Sequence, residues 1–163
     1  MVNMEIERKF LVVGDEWRSP GDGVKYRQGY LSTTEGSVVR IRTFNNRGLL
    51  TIKKPVSALS RLEYEYEIPL TEAEDILNTV CVQPLIEKTR YRITLNNLLW
   101  EVDEFYGANE GLIVAELELA SEEERFEKPA WLGEEVSHDP RFFNVNLIAK
   151  PFTTWNISME ERK

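Results

Sequence analysis

Glutamate, lysine and arginine recur at every second residue in several short runs, a spacing that can place metal-binding carboxylates and anion-binding cations on single strand faces. Glu5, Glu7 and Lys9 alternate with Ile6 and Arg8, and Arg40 and Arg42 with Val39 and Ile41. Lys53 follows Ile52, while Glu63, Glu65 and Glu67 alternate with Leu62, Tyr64, Tyr66 and Ile68. The pattern returns at Lys88, Arg90 and Arg92, at Glu101 and Asp103, and at Glu116 and Glu118. A solvated outer sheet face also alternates, but it mixes Thr, Ser and Gln with scattered charge. These positions are almost purely charged and, Lys9 apart, sorted by sign within each run. Like charges at i and i+2, roughly 7 Å apart, repel, so the run EYEYE calls for cations or metal opposite it.

Carboxylates and bases sorted onto different strands suit a ligand of mixed charge, a polyanion carrying divalent cations. Polyphosphate fits, since carboxylates take the metal while Arg and Lys take phosphate oxygens. The only cysteine is Cys81 and the only histidine His138, which excludes an intrachain disulfide and a zinc site built from Cys and His. Any metal must sit among oxygen ligands, which favours Mg²⁺, Mn²⁺ or Ca²⁺. His138 falls in a polar turn and reads as a surface residue, and Cys81 reads as a small buried hydrophobe. The four tryptophans read as core or interface, and Arg8, out of phase with its neighbours, should point outward.

The elements that position these groups must be mainly strands. Turn signals fall at short intervals, at Ser19 to Gly23, Thr34 to Gly36, Asn45 to Gly48, Asn96-Asn97 and Gly107 to Gly111, as in antiparallel hairpins and meanders. Thr71 with Glu74 and Ser121 with Glu124 read as capping boxes that start two helices, the second ending before Pro129. A third should start at Asp139 and run toward Ala149. The expected fold is α+β, mainly antiparallel β: a closed barrel with the charged faces inward and about three short helices outside. Its lumen must hold water and ions, because burying one carboxylate in low dielectric costs on the order of 20 kcal/mol.

The 163 residues read as a single domain spanning 1–163, with no run near the length of a membrane span. The charged first segment is unlike a signal peptide, and the chain is expected to be cytoplasmic. A net charge of −8 argues against nucleic acid and against an anionic membrane surface as partners. The proposed lumen carries nine acids and seven bases, the latter being Lys9, Arg40, Arg42, Lys53, Lys88, Arg90 and Arg92. That is −2, which two divalent ions would reverse.

Glu5, Glu7 and Lys9 form an ExExK motif, and RQGYL, VRIR, TIK, SRLEYE, EKTRY, WEVDEF, LIVAELEL and SHDPRFFNVNLIAK follow in order over nearly the whole chain. In these blocks the sequence resembles the CYTH superfamily of triphosphate tunnel metalloenzymes. The resemblance implies an eight-stranded tunnel in which a triphosphate lies among basic residues while acids hold one or two Mg²⁺ or Mn²⁺ ions. It implies metal-side roles for Glu5, Glu7, Glu116 and Glu118, with Glu63, Glu65 and Asp103 as further ligands or water positioners. It implies phosphate binding by Lys9, Arg40, Arg42, Lys53, Lys88 and Arg90, with Arg61 and Lys150 as weaker candidates.

The implied reaction is metal-dependent hydrolysis of a triphosphate, with inorganic tripolyphosphate first, by attack of a metal-activated water on the terminal phosphoryl group. Lys88 and Tyr30 match positions proposed in the family as proton acceptors. Arg90 and Arg92 should depress the Lys88 pKa, while a phenol suits neutral pH less well. The alternatives are a class IV adenylate cyclase, a thiamine-triphosphatase-like activity and a non-catalytic polyphosphate-binding module. Cyclase members usually carry a His-Phe pair in the N-terminal region, and residues 10–35 here contain no histidine. A barrel exterior covered by about three helices leaves a homodimer open.

Overall fold

The structure is a computed structural model that describes residues 4–18, 23–32 and 36–155. The expected turns at Ser19 to Gly23 and Thr34 to Gly36 lie largely outside those residues. Nine strands form one sheet: β1 (Met4–Val12), β2 (Val24–Leu31), β3 (Val38–Phe44), β4 (Arg47–Pro55), β5 (Ser60–Ile68), β6 (Ile86–Leu95), β7 (Leu98–Phe105), β8 (Ile113–Glu118) and β9 (Leu132–Glu135). Their order is β5-β4-β3-β2-β6-β7-β8-β1-β9, every neighbouring pair is antiparallel, and a β1–β5 pairing closes the first eight into a barrel. β1 pairs with β8 along one edge. Along the other, its start meets β5, and Phe10 and Val12 pair with the short β9.

Register aligns the charged positions on one face. Glu5 faces Arg61, Glu7 faces Glu118 and Lys9 faces Glu116. Lys53 faces Glu63, Arg40 faces both Tyr30 and Thr51, Arg90 faces Asp103, and Glu116 faces Glu101. The intervening apolar residues point outward. Two hairpin turns fix the register, because Asn45-Asn46 and Asn96-Asn97 all take positive φ, the pattern of a type I′ turn.

Helix α1 (Leu70–Thr79) packs Ala73 and Leu77 onto Ile41 and covers the β3–β4 exterior. It starts one residue before the expected capping box: Pro69 presets the entry and its carbonyl accepts the Ala73 N–H at 2.9 Å, with no side-chain cap. The expected helix at Ser121 does not form. The two capping residues close only a turn, Glu124 accepting the Ala120 N–H at 2.6 Å, and the chain then extends so that Phe126 lies edge-on to Phe10 and Trp100. That segment and Trp17, Trp100 and Trp131 cover the outer face of β1, β7 and β8.

The third expected helix is split. Asp139 accepts the Arg141 N–H at 3.0 Å and caps a 3-10 turn over Pro140–Phe142; Phe143 is extended, and α2 (Asn146–Ala149) follows. The break lets Phe142, Leu147, Ile148 and Phe152 pack with Tyr30, Phe105 and Val114, covering one end of the lumen. The helical content among the described residues is thus one ten-residue helix, one four-residue helix and three 3-10 turns. Ile52, Tyr64 and Tyr66 on the outside of β4 and β5 stay exposed. No helix is long and apolar enough to cross a membrane.

Candidate functional site

Strand alternation brings the lumen face of every barrel strand around a cavity of about 600 Å³. Glu5, Glu7, Lys9, Tyr30, Arg40, Arg42, Lys53, Arg61, Glu63, Arg90, Glu116 and Glu118 all line it, together with Arg92 and Glu101. Four of the expected site residues lie elsewhere. Lys88 and Asp103 are buried in the wall without lining the cavity, Glu65 sits behind Arg40 and Arg42, and Lys150 is exposed after α2.

Acids and bases pair around the ring. Lys53 Nζ stands 3.0 Å from Glu5 and 3.3 Å from Glu63; Arg61 is 3.6 Å from Glu7 and Lys9 is 3.5 Å from Glu116. Arg42 approaches Glu65 at 3.2 Å, and the Thr51 hydroxyl also donates to that carboxylate at 2.9 Å. Arg90 grips Asp103 with Nε at 2.7 Å and Nη2 at 2.8 Å, and reaches Glu101 at 3.1 Å. Lys88 donates to the same Asp103 carboxylate at 2.8 Å. Asp103 is therefore a counterion already holding three charge-assisted hydrogen bonds.

The electrostatics divide the carboxylates into two groups. Glu7 is pushed up by burial and by Glu116, and Glu118 by burial and by Glu5 and Glu7. Glu5 is raised by burial and by its hydrogen bond with Glu63, and that bond lowers Glu63. Burial opposes ionisation of Glu116, but Lys9, Arg90 and Lys88 outweigh it and hold its carboxyl well below the usual range. Burial opposes ionisation of Asp103 as well, and Arg90 and Lys88 reverse the effect.

Burial also brings Arg42 down to about 10, with Arg40 and Arg90 adding to the shift. The Lys88 pKa is lowered to about 8, by burial first; Asp103 works against the shift and Arg90 adds to it. Of the two arginines expected to depress it, Arg90 contributes while Arg92 is 62% exposed, so desolvation replaces like charge as the main cause.

A crowded set of hard oxygen donors suits a divalent cation, and the raised Glu5, Glu7 and Glu118 are the groups whose ionic form such a cation would stabilise. Among the described residues no three acids converge into a closed metal cage. That is compatible with Mg²⁺, which is commonly held by one or two carboxylates plus water and phosphate oxygens.

The sequence profile of the CYTH domain matches residues 3–150. The chain belongs to the CYTH domain family. An inorganic triphosphatase from Acetivibrio thermocellus is 51% identical over 148 residues, covering 91% of this chain and 95% of that protein. An inorganic triphosphatase from Nitrosomonas europaea is 39% identical over 151 residues, covering 88% and 95%. A crystal structure of an inorganic triphosphatase superposes with a TM-score of 0.63 at 36% identity, covering 88% of this chain and 93% of that one. The eight-stranded tunnel is the CYTH architecture, and metal dependence is general for CYTH triphosphatases.

Sequence reasoning missed a residue buried behind this CYTH lumen and one part of its lining. Gln28 is fully buried beside Tyr30, a position its parity in RQGYL could have revealed. Phe143, Asn144, Val145 and Asn146 form the lining at the covered end, and no periodic signal marks that irregular segment.

Proposed function

We propose that this chain hydrolyses inorganic triphosphate within the barrel, using Mg²⁺ or Mn²⁺. The observation that carries the reading is a barrel lumen in which Lys9, Arg40, Arg42, Lys53, Arg61 and Arg90 face Glu5, Glu7, Glu63, Glu116 and Glu118 across about 600 Å³. Across the lumen these groups pair with and neutralise one another. A metal–triphosphate complex offers each a replacement partner, so neither the cations nor the carboxylates are left buried and uncompensated. Arg40, Arg42 and Arg90 present planar guanidinium groups suited to non-bridging phosphate oxygens, and Lys9 and Lys53 add point charges.

Glu5, Glu7 and Glu118, with Glu63 and Glu116 beside them, are the residues that would hold the cation. Such a cation, when bound, neutralises phosphate charge and acidifies water. Phosphoryl transfer needs alignment and charge stabilisation more than covalent help, which a fixed ring of cations supplies. Asp103 holds Arg90 and Lys88 in place, and Glu65 holds Arg40 and Arg42. Among the proton-handling candidates Tyr30 lines the lumen whereas Lys88 does not, so Tyr30 is the better placed to touch the anion.

A bare triphosphate is favoured over a nucleotide because charged side chains far outnumber aromatic ones in the described lining, where Tyr30 and Phe143 supply the rings. The identity to inorganic triphosphatases supports the same choice. Phosphate release from tripolyphosphate, ATP and thiamine triphosphate, each with Mg²⁺ and with Mn²⁺, tests it. Tripolyphosphate should lead in kcat/KM by on the order of tenfold or more. A preference for ATP, or formation of cyclic AMP, would contradict the substrate assignment.

A further inference from the structure

Gln28 is 0% exposed on the lumen face of β2, two residues before Tyr30. Across β3 its partner is Arg42, and the partner of Tyr30 is Arg40, so the four side chains occupy neighbouring rungs. Gln28 Nε2 donates to the Tyr30 hydroxyl oxygen at 2.8 Å. Gln28 Oε1, Arg40 Nε and Arg42 Nε are buried without hydrogen-bond partners among the described residues. A primary amide in such a place carries a desolvation cost that an apolar side chain of similar length avoids. What the amide contributes there is its one hydrogen bond.

That bond has a direction. A phenol oxygen that accepts from Gln28 keeps its own proton for another acceptor. The Tyr30 ring is packed among Phe105 and Val114, so its hydroxyl has little freedom to relocate. Tyr30 lines the lumen and Gln28 does not. We propose that Gln28 is a positioning residue: its amide N–H holds the Tyr30 phenol so that the Tyr30 O–H is presented to an oxygen of the bound phosphate chain. Gln28 acts through Tyr30 and does not touch substrate. The inference rests on the lumen being the triphosphate site.

The test is kcat and KM for Mg²⁺-tripolyphosphate in the wild type, Gln28→Met, Gln28→Glu, Tyr30→Phe and the double variants of each Gln28 change with Tyr30→Phe. Methionine keeps the length and removes the donor. Glutamate keeps the size but accepts, drawing the Tyr30 proton away from the lumen. Each single Gln28 change should lower kcat/KM by about tenfold, and neither should lower it further by more than about twofold once Tyr30 is Phe. Full activity in Gln28→Met, or an equal loss with and without the Tyr30 hydroxyl, overturns the proposal. If Gln28→Met does not fold, Gln28→Glu against its double variant makes the same comparison. Absence of hydrolysis by the wild type would refute the site reading itself, whereas an active wild type with an unaffected Tyr30→Phe variant would overturn this inference alone.

Discussion

Asp103 illustrates how a carboxylate with the right parity can be committed before any metal arrives. Its three hydrogen bonds come from Lys88 and Arg90, and all three residues are buried. Replacing it by Asn leaves two buried cations without their counterion, and should cost about 3–5 kcal/mol in urea unfolding at neutral pH. Its folded pKa lies below the usual 3.8, so the stabilisation is complete above that value and is lost as pH falls through the lower folded value. The gap between wild type and Asp103→Asn should therefore stay constant down to about pH 4 and close only in stronger acid. A gap that closes near neutrality would contradict the assigned pairing. Lys88 carries the opposite sign. With a folded pKa of about 8 against 10.5 unfolded, the unfolded chain binds more protons between those values, so the Lys88 contribution to stability rises with pH across that window. Relative to Lys88→Met, the wild type should gain stability from pH 8 to pH 10; a flat difference would mean that burial does not govern this ammonium. Parity placed both residues on the lumen face, but depth along the barrel axis depends on strand stagger, which no local pattern encodes. That is why Lys88 and Asp103 share the parity of the site residues yet lie in the wall beside the cavity.

Among the elements, the barrel strands and helix α1 were legible where the other two expected helices were not. Alternation is a property of neighbouring residues, and the paired asparagines at 45–46 and 96–97 set hairpin register without help from elsewhere. Ser121 and Glu124 close a turn through the Glu124 N–H and the Ser121 carbonyl at 3.2 Å, with the Glu124 carboxylate on the Ala120 N–H instead of that of Ser121, and the chain leaves the turn extended because Phe126 gains more by covering Phe10 and Trp100 than a short helix gains by propagation. Segment 139–149 breaks for a similar reason, with Phe142, Leu147 and Ile148 all directed at one end of the barrel. Helix α1 depends on close approach to β4. A Cβ at Gly48 would stand 2.6 Å from the Ala73 Cβ and 3.1 Å from the Ile68 carbonyl oxygen. Gly48→Ala should destabilise the protein by about 1–3 kcal/mol in denaturant unfolding while leaving KM for tripolyphosphate near the wild-type value. An unchanged midpoint would mean that α1 is not seated against β4 as described.

For the whole molecule, net charge and ligand charge cease to conflict once the lumen is treated separately from the surface. The chain carries −8, yet the cavity wall alternates cations with carboxylates, three of which, Glu5, Glu7 and Glu118, have their pKa raised by burial and by neighbouring acids. The raised pKa of Glu7 and Glu118 means that the folded state binds more protons just above 4.5, so their burial, added to by repulsion from neighbouring carboxylates, weakens the metal-free protein as pH rises to neutral. Glu118→Gln should accordingly raise the unfolding temperature in chelator at pH 7 and shrink the further rise that millimolar Mg²⁺ gives the wild type; a variant less stable in chelator would contradict the crowding. The most direct test of the central claim is steady-state phosphate release from tripolyphosphate with Mg²⁺, wild type against Glu5→Gln, Glu7→Gln, with folding of both checked by unfolding temperature. A lumen that works by pairing metal with triphosphate predicts rapid release by the wild type and a loss of at least about a hundredfold in the folded double variant. Equal release by the two proteins, or none by the wild type, would contradict it.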